Sequence, residues 1–346
     1  MQRPRRLRVG DTVAFVAPAS GTAVPAAHRL EQGKRYFEAQ GYVVKVYPSC
    51  HKMGPYSSCS PEERAQDIMD AFQDPAVKAI VCTIGGLTSH EVLEHLDFSI
   101  LAKHPTIFCG FSDITTMHLA LQAQANMVTF YGPSVLCQFG EFPAPLTYTT
   151  DAFFRATSTV VGDVMPSDTW SDDKSINWFT KADMHTIRPM KPNVTGHEWL
   201  RSSPHAASGR LLGGCLPVLL NVFGTKYMPS LVDCVLLIET SESESAFDKG
   251  MIMDQVNAYL GVLRMNGTLL HLNGLIVGRG FAYTDDQVAE LKALVLHHTR
   301  STTYPIVYGV DCGHSDPIAT WPLGVSVTLD ATANLVTINE AGVDDN

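Results

Sequence analysis

Short apolar runs alternate with segments of helical spacing along the first 130 residues of the chain. The runs at residues 9–18, 79–84 and 106–108 predict buried strands, and the segments at residues 28–40 and 60–72 predict amphipathic helices. Strands that alternate with helices of this size predict an α/β fold with a mostly parallel sheet between helices. In such a sheet the ligand site lies at the carboxyl ends of the strands.

The pattern weakens after residue 140 and returns near residue 206, so the chain of 346 residues divides into three parts. We expect an N-terminal α/β domain over residues 1–140, a linker or insert over 141–205, and a C-terminal domain over 206–346. In the last part the pattern predicts helices at 216–223, 247–265 and 285–299, strands at 235–238, 275–278 and 305–308, and a terminal hairpin of 325–329 with 335–339.

Charge and cysteine content narrow the class of protein. The net charge of −10 argues against a nucleic-acid polymer or an anionic membrane surface as partner, and no apolar run approaches the length of a membrane span. The eight cysteines form no CxxC pair and several lie inside apolar runs. We therefore expect reduced, buried thiols in a cytoplasmic protein rather than disulfides or a metal site.

Ser112 follows the apolar run at residues 106–108 and precedes a segment of helical spacing, which predicts a strand, a tight turn and a helix. A serine at such a turn lies at a helix N-terminus, where backbone N–H groups favour developing negative charge. Ser112 and Asp113 are also the residue types that commonly cap helices. The segment by itself therefore fits both a nucleophile and a cap.

Gly85 and Gly86 end the preceding predicted strand. A paired glycine there is also typical of a simple turn. If Ser112 is a nucleophile, the backbone N–H groups of Gly86 and Asp113 are placed to converge on one point and to form an oxyanion hole.

Glu239 and His314 each follow a buried apolar run and begin a polar loop. A carboxylate can orient an imidazole, and an imidazole can activate a serine from another domain, so these residues suit a Ser-His-Glu triad. Twelve other histidines are present, and Glu242 and Glu244 are rivals for the acidic role.

Three of the four tryptophans, Trp170, Trp178 and Trp199, lie in the polar stretch between the two predicted domains. Tryptophan in polar surroundings serves either as a packing contact between domains or as a platform for a ligand ring. The sequence leaves both interpretations open.

Several motifs, in this order and spacing, resemble the LD-carboxypeptidase family of serine peptidases over nearly the whole chain. They are Gly85-Gly86, Gly110-Phe111-Ser112-Asp113-Ile114-Thr115, Phe130-Tyr131-Gly132-Pro133, Leu237-Ile238-Glu239, Gly313-His314 and Pro322-Leu323-Gly324. The insert with tryptophans resembles the microcin C self-immunity branch of that family.

The resemblance implies a nucleophile Ser112, a base His314, an orienting Glu239 and an oxyanion hole from Gly86 and Asp113. It also implies an α/β N-terminal domain, a C-terminal domain with a small β-barrel-like core, and a homodimer that needs no metal or cofactor. In the self-immunity branch the small-molecule substrate is an aminoacyl or peptidyl group joined to a modified nucleotide by an amide-type bond. Trp178 then becomes a candidate for stacking on the purine.

Two departures from the family pattern affect the expected substrate. Cys215 stands where the family has an asparagine near the substrate, and a thiol cannot replace the paired donor and acceptor of an amide. The residues after Gly85 and Gly86 also differ from the usual tyrosine and asparagine. Gly85, Trp178 and Cys215 are the candidate substrate-binding residues. The alternative functions are release of a terminal D-alanine from a murein tetrapeptide and non-catalytic binding of a small molecule.

Overall fold

The computed structural model describes residues 1–173, 176–243 and 246–345 of the protein. Its strands, in chain order, are β1 (Thr12–Val16), β2 (Val43–Val46), β3 (Val77–Cys82), β4 (Ile107–Gly110), β5 (Thr129–Tyr131), β6 (Gly162–Asp163), β7 (Thr169–Trp170), β8 (Lys191–Pro192), β9 (Glu198–Arg201), β10 (Ala207–Cys215), β11 (Cys234–Glu239), β12 (Glu242–Ser243), β13 (Ala246–Gly250), β14 (Gly274–Gly278), β15 (Ile306–Val310), β16 (Trp321–Leu323), β17 (Ser326–Asp330) and β18 (Leu335–Ile338).

The α-helices are α1 (Ala27–Ala39), α2 (Pro61–Gln73), α3 (Phe98–Leu101), α4 (Thr115–Ala125), α5 (Thr147–Ala156), α6 (Leu216–Asn221), α7 (Met253–Met265) and α8 (Asp285–His298). Shorter helical turns are the 3-10 segments Pro48–His51, Ser89–His95, Ser112–Ile114, Trp178–Thr180, Ala182–His185 and Thr268–Leu270, and the π-helical segment Val135–Phe139. None of the helices in the described ranges is long and apolar enough to cross a membrane.

The N-terminal sheet has the strand order β16-β5-β4-β3-β1-β2. Strands β1 to β5 are parallel, and β16, from the far end of the chain, pairs antiparallel with β5. In β1, Phe15 packs in the cluster that contains Phe37 of α1, while Val16 packs in the cluster that contains Phe72 of α2. Helices on both faces explain why this strand is an unbroken apolar run.

The C-terminal sheet has the order β6-β18-β17-β10-β11-β14-β15-β9. Its central strands β10, β11, β14 and β15 are parallel, and the flanking pairs are antiparallel. Every residue of β11, β14 and β15 is buried. The mixed α/β architecture predicted for the chain is confirmed.

Local sequence signals account for the start of α2. Ser60 caps α2, and Glu63 returns a side-chain hydrogen bond to the backbone of Ser60, with Pro61 in the first turn. The helix predicted from residue 247 was wrong at its start. Residues 246–250 form β13, which pairs with β12, and the helix begins only at Met253.

The stretch between residues 140 and 206 contains ordered elements that its weak pattern did not predict. Helix α5 places Phe153 in the N-terminal core, and β9 extends the C-terminal sheet by pairing with β15. The boundaries proposed for the three parts stay a prediction, but this stretch packs against both sheets.

A buried ion network ties the stretch to the two sheets. Arg29 of α1 contacts the carboxylates of Asp183 and Glu141 at 2.8 Å each. Glu141 also binds Arg188 at 2.6 Å, and Arg188 contacts Asp316, whose other carboxylate oxygen accepts from Gln138 at 3.0 Å. Asp316 lies two residues after His314, so the network fixes the loop that carries this histidine.

Replacing Arg188 with methionine removes one cation from two buried carboxylates. We expect Arg188→Met to lower the free energy of unfolding by about 3–5 kcal/mol, because a buried charge left without its partner is strongly destabilising. Urea denaturation followed by circular dichroism measures the change. The control is Arg35→Met, whose exposed pair with Glu31 should cost no more than about 0.5 kcal/mol. Equal losses for the two variants would contradict a structural role for the network.

Candidate active site

Ser112 is separated from the end of β4 by one residue, Phe111, and begins the 3-10 turn that leads into α4. Its φ angle of 62° is in the left-handed region, which is costly for a residue with a side chain. The Thr115 hydroxyl donates to the Ser112 carbonyl at 2.7 Å and accepts from the Cys215 backbone N–H at 2.9 Å. Contacts from both halves of the chain therefore hold the turn.

The structure brings Ser112, His314 and Glu239 together in one line of contacts. The Ser112 Oγ and the His314 Nε2 are 3.0 Å apart, and the His314 Nδ1 and the Glu239 Oε2 are 2.8 Å apart. Glu239 ends β11 and is 1% exposed, whereas His314 follows β15 and is 8% exposed. The geometry is that of a hydroxyl, an imidazole and an orienting carboxylate.

Tyr131, at the end of β5, forms hydrogen bonds with both Glu239 and Ser112. Its hydroxyl donates to the Glu239 Oε1 at 2.6 Å and accepts from the Ser112 backbone N–H at 3.2 Å. Both oxygens of the Glu239 carboxylate therefore have a partner, as a buried carboxylate requires.

The loop of His314 is shaped around the same carboxylate. Gly313 has a φ angle of 84°, and a Cβ at this position would lie 2.5 Å from the Glu239 Cδ. Glycine is thus required for both backbone conformation and space. The rings of Phe111 and Phe281 pack against the imidazole, with centroids 5.2 and 6.1 Å away.

A second carboxylate faces the imidazole from the hairpin of β12 and β13. The Glu242 Oε2 is 2.9 Å from the His314 Nε2, the same nitrogen that faces Ser112. Burial by itself lowers the pKa of His314, but the charges of Glu239 and Glu242 outweigh burial and raise the pKa well above its usual value. Both carboxylates therefore favour the imidazolium form.

Gly85 and Asp113 lie beside the serine, whereas the atoms nearest a Cβ at Gly86 belong to Ala19 and Ser20. A Cβ at Gly85 would lie 2.9 Å from the Ser112 Cβ and 3.2 Å from the Asp113 backbone nitrogen, so only glycine fits this approach. The Asp113 carboxylate accepts from the Ser89 backbone N–H at 2.8 Å, and the Ser89 hydroxyl donates to the Asp113 carbonyl at 2.7 Å. These two bonds fix the turn that carries the Asp113 N–H. Gly86 follows Gly85 in the same loop.

Cys215 and Trp178 lie in different surroundings. Cys215 ends β10 directly opposite Glu239 in the parallel ladder and is 1% exposed, and burial raises the pKa of its thiol well above the usual value. Trp178 is half-buried in the insert, with its ring 4.1 Å from the Arg29 guanidinium carbon. It packs against the N-terminal core, and Arg29 connects it to the ion network that reaches the His314 loop.

The other two tryptophans of the insert make structural contacts. The Trp199 Nε1 donates to the Asn334 Oδ1 at 2.7 Å from within β9. Lys191 and Arg279 lie over the ring of Trp170 at 4.6 and 4.8 Å. Both tryptophans therefore fix the insert to the C-terminal half.

The roles of Tyr131 and Thr115 are not predicted from the sequence, in which Glu242 is only a rival to Glu239. Tyr131 lies in the motif Phe130-Tyr131-Gly132-Pro133, at the carboxyl end of β5, which pairs with the strand that leads to Ser112. This position in the sequence is the feature that could have indicated its role. Glu244, the second rival, lies outside the described residues. Across residues 1–173, 176–243 and 246–345, no group of three or more His, Cys, Asp or Glu side chains is arranged to hold a metal ion.

Two family profiles match the chain on either side of the insert. Residues 13–132 match the LD-carboxypeptidase N-terminal domain, and residues 208–329 match the LD-carboxypeptidase C-terminal domain. A Vibrio cholerae protein named as a carboxypeptidase is 31% identical over 331 residues, which cover 94% of each chain. The protein belongs to the LD-carboxypeptidase family. It is therefore a hydrolase of the serine peptidase and carboxypeptidase type, as the motifs predicted.

Within the LD-carboxypeptidase family, the self-immunity branch is also represented among the similar proteins. The microcin C7 self-immunity protein MccF of Escherichia coli is 28% identical over 343 residues, covering 96% of this chain and 94% of MccF. A structure of MccF in complex with aspartyl sulfamoyl adenosine superposes with a TM-score of 0.90 at 26% identity, covering 99% of this chain and all of that one. The resemblance to this branch is confirmed.

The protonation of His314 is directly measurable. Because two carboxylates raise its pKa, we expect the free protein to keep the imidazolium above pH 6.5 and to lose its proton only at higher pH. The charged contact then stabilises the fold below pH 6.5, and this contribution is lost as the pH rises through the raised pKa. NMR titration of ¹⁵N-labelled imidazoles measures the transition.

His118 provides an internal control in the same titration. It is fully buried, its Nε2 lies 2.9 Å from the Gly110 carbonyl oxygen, and burial lowers its pKa to about 4. We expect opposite displacements for the two histidines from the ordinary value near 6.5. A midpoint for His314 below 6.5 would contradict the influence of Glu239 and Glu242.

Proposed function

We propose that the protein hydrolyses the amide-type bond between an aminoacyl or peptidyl group and a modified nucleotide, with Ser112, His314 and Glu239 as a catalytic triad. The contact line from the Ser112 Oγ through His314 to Glu239 is the observation that carries the proposal. The similarity to MccF over nearly the full length of both chains supports the choice of substrate class.

In the proposed mechanism, His314, once its Nε2 has lost its own proton, takes the hydroxyl proton of Ser112 as the oxygen attacks the carbonyl carbon. The backbone N–H groups of Gly86 and Asp113 stabilise the oxyanion. The leaving nitrogen takes the proton from His314 as its bond to carbon breaks, and an acyl group remains on Ser112. Water, activated by His314, then hydrolyses this ester and restores the serine.

Glu239 acts through His314 rather than on the substrate. Its position at 2.8 Å from the Nδ1 sets the orientation of the ring and stabilises the imidazolium that forms during attack. The Tyr131 hydroxyl keeps the carboxylate in place from the other side. Neither residue needs to move between the two acyl-transfer steps.

Trp178 is the proposed platform for the base of the nucleotide. Its ring is half-buried and packs against the Arg29 guanidinium, so the indole is already held in position before a ligand binds. An aromatic face of this kind stacks on any base, and stacking contributes about 1–3 kcal/mol per base in other proteins. Gly85 and Cys215, beside the serine and Glu239, are the proposed neighbours of the acyl group.

Release of a terminal D-alanine from a murein tetrapeptide is the second candidate function. The match of both halves of the chain to LD-carboxypeptidase domains favours it. It uses the same triad with a different leaving group.

The homodimer and the cytoplasmic location expected from the sequence also stay predictions.

Incubation of the purified protein with an aminoacyl sulfamoyl adenosine and, separately, with a murein tetrapeptide distinguishes the two functions. We expect release of sulfamoyl adenosine, detected by mass spectrometry, and a loss of more than about 1,000-fold in Ser112→Ala because the nucleophile is missing. Release of D-alanine alone would support the second candidate. Cleavage by folded Ser112→Ala at the wild-type rate would contradict both.

The role of Trp178 is tested with the same substrate. Trp178→Ala should raise KM about 5- to 100-fold by removing the stacking surface. The control is Phe179→Ala, because Phe179 is the next residue and is 62% exposed. Equal KM values for Trp178→Ala and Phe179→Ala would contradict the stacking role and leave Trp178 with a packing role only.

A further inference from the structure

The His314 Nε2 faces two oxygens in the free protein: the serine hydroxyl, within a hydrogen bond, and a carboxylate oxygen of Glu242, within an ion pair. The Ser112 Oγ lies 3.0 Å from it and the Glu242 Oε2 lies 2.9 Å from it. While the Nε2 keeps its hydrogen as the charged partner of Glu242, the nitrogen cannot accept the proton of the serine. The contact with Glu242 must therefore break before the serine is activated.

The two carboxylates at His314 differ in their freedom to leave. Glu239 is 1% exposed and is held by Tyr131 at the end of β11. Glu242 lies on the hairpin of β12 and β13, and its side chain is 32% exposed. Glu242 is thus the partner that an arriving substrate can displace.

The carboxylate of Glu242 is also within reach of the substrate itself. It lies within about 6 Å of the Ser112 Oγ, and the reacting carbonyl carbon must approach that oxygen to about 3 Å. Groups on the carbon next to the carbonyl therefore come close to Glu242. A charge-assisted hydrogen bond from a protonated amine there would replace the ion pair of Glu242 with the imidazolium, whereas a carboxylate at that place would be repelled.

We propose that Glu242 is a specificity-determining residue that forms an ion pair with the His314 imidazolium in the free protein and turns to the protonated amine next to the scissile carbonyl when substrate binds. The Nε2 proton passes to water as Glu242 leaves, and the neutral nitrogen then faces Ser112. This proposal rests on the proposed function, and it assigns an aminoacyl group with a free α-amine as the preferred acyl group.

The test compares alanyl sulfamoyl adenosine with its N-acetyl analogue, which lacks the charge at the amine. For the wild type we expect kcat/KM to favour the free amine by about 10- to 100-fold, the range of a hydrogen bond to a charged group. In Glu242→Gln the preference should fall to within about threefold, mainly through a higher KM for the free amine. Glu242→Asp, which keeps the charge, should recover part of the preference.

Glu290→Gln is the matched control, since Glu290 is an exposed glutamate on α8 and lies outside the site. It should keep the wild-type preference. If folded Glu242→Gln and Glu242→Asp both keep the wild-type preference for the free amine, this proposal is overturned. The hydrolase function would stand in that case. Absence of both cleavage and calorimetric binding of either nucleotide by the wild type would instead overturn the proposed function, and this proposal with it.

Discussion

The buried carboxylate of Glu239 is the constraint on which the site depends. A carboxylate with 1% exposure is stable only where each oxygen has a hydrogen-bonding partner, and here the partners come from distant parts of the chain. Tyr131 comes from the N-terminal sheet, and His314 comes from a loop of the C-terminal half. Satisfying this one charge therefore brings the two halves together at the serine.

The packing around Glu239 reinforces this arrangement. Gly313 leaves room for the carboxylate, and β16 crosses to pair with β5, which carries Tyr131. The loop between His314 and β16 is fixed by Asp316 in the buried ion network. The same contacts thus stabilise the interface between the sheets and set the position of the imidazole.

The sequence predicted the α/β class, most strands and the turn at Ser112, because buried parallel strands are continuous apolar runs and turns follow them. It also placed Glu239 and His314 at strand ends, although only the family resemblance separated them from their rivals. Spacing along the chain cannot show that Glu242 reaches the same nitrogen as Ser112, because that contact depends on the path of a hairpin. The same pattern made residues 247–250 appear helical, where pairing with β12 forms a strand instead.

The insert shows a different limit of prediction. Its composition is polar, yet two of its residues belong to a buried ion network, Glu141 and Arg188. Their partners, Arg29 and Asp316, lie far away in the sequence. Charged residues give no apolar periodicity, so tertiary ion pairs of this kind are invisible to pattern analysis. The half-buried Trp178 packs against Arg29 of this network. The network therefore connects the proposed nucleotide platform to the loop of His314.

A double-mutant cycle on kcat tests most directly whether residues from the two halves act as one catalytic unit. Ser112→Ala, His314→Ala and the double variant would be measured on the cleaved substrate, with folding checked by circular dichroism. We expect the double variant to lose no more than a few-fold beyond the larger single loss, because either change alone disables the unit. Losses that multiply in the double variant would contradict it.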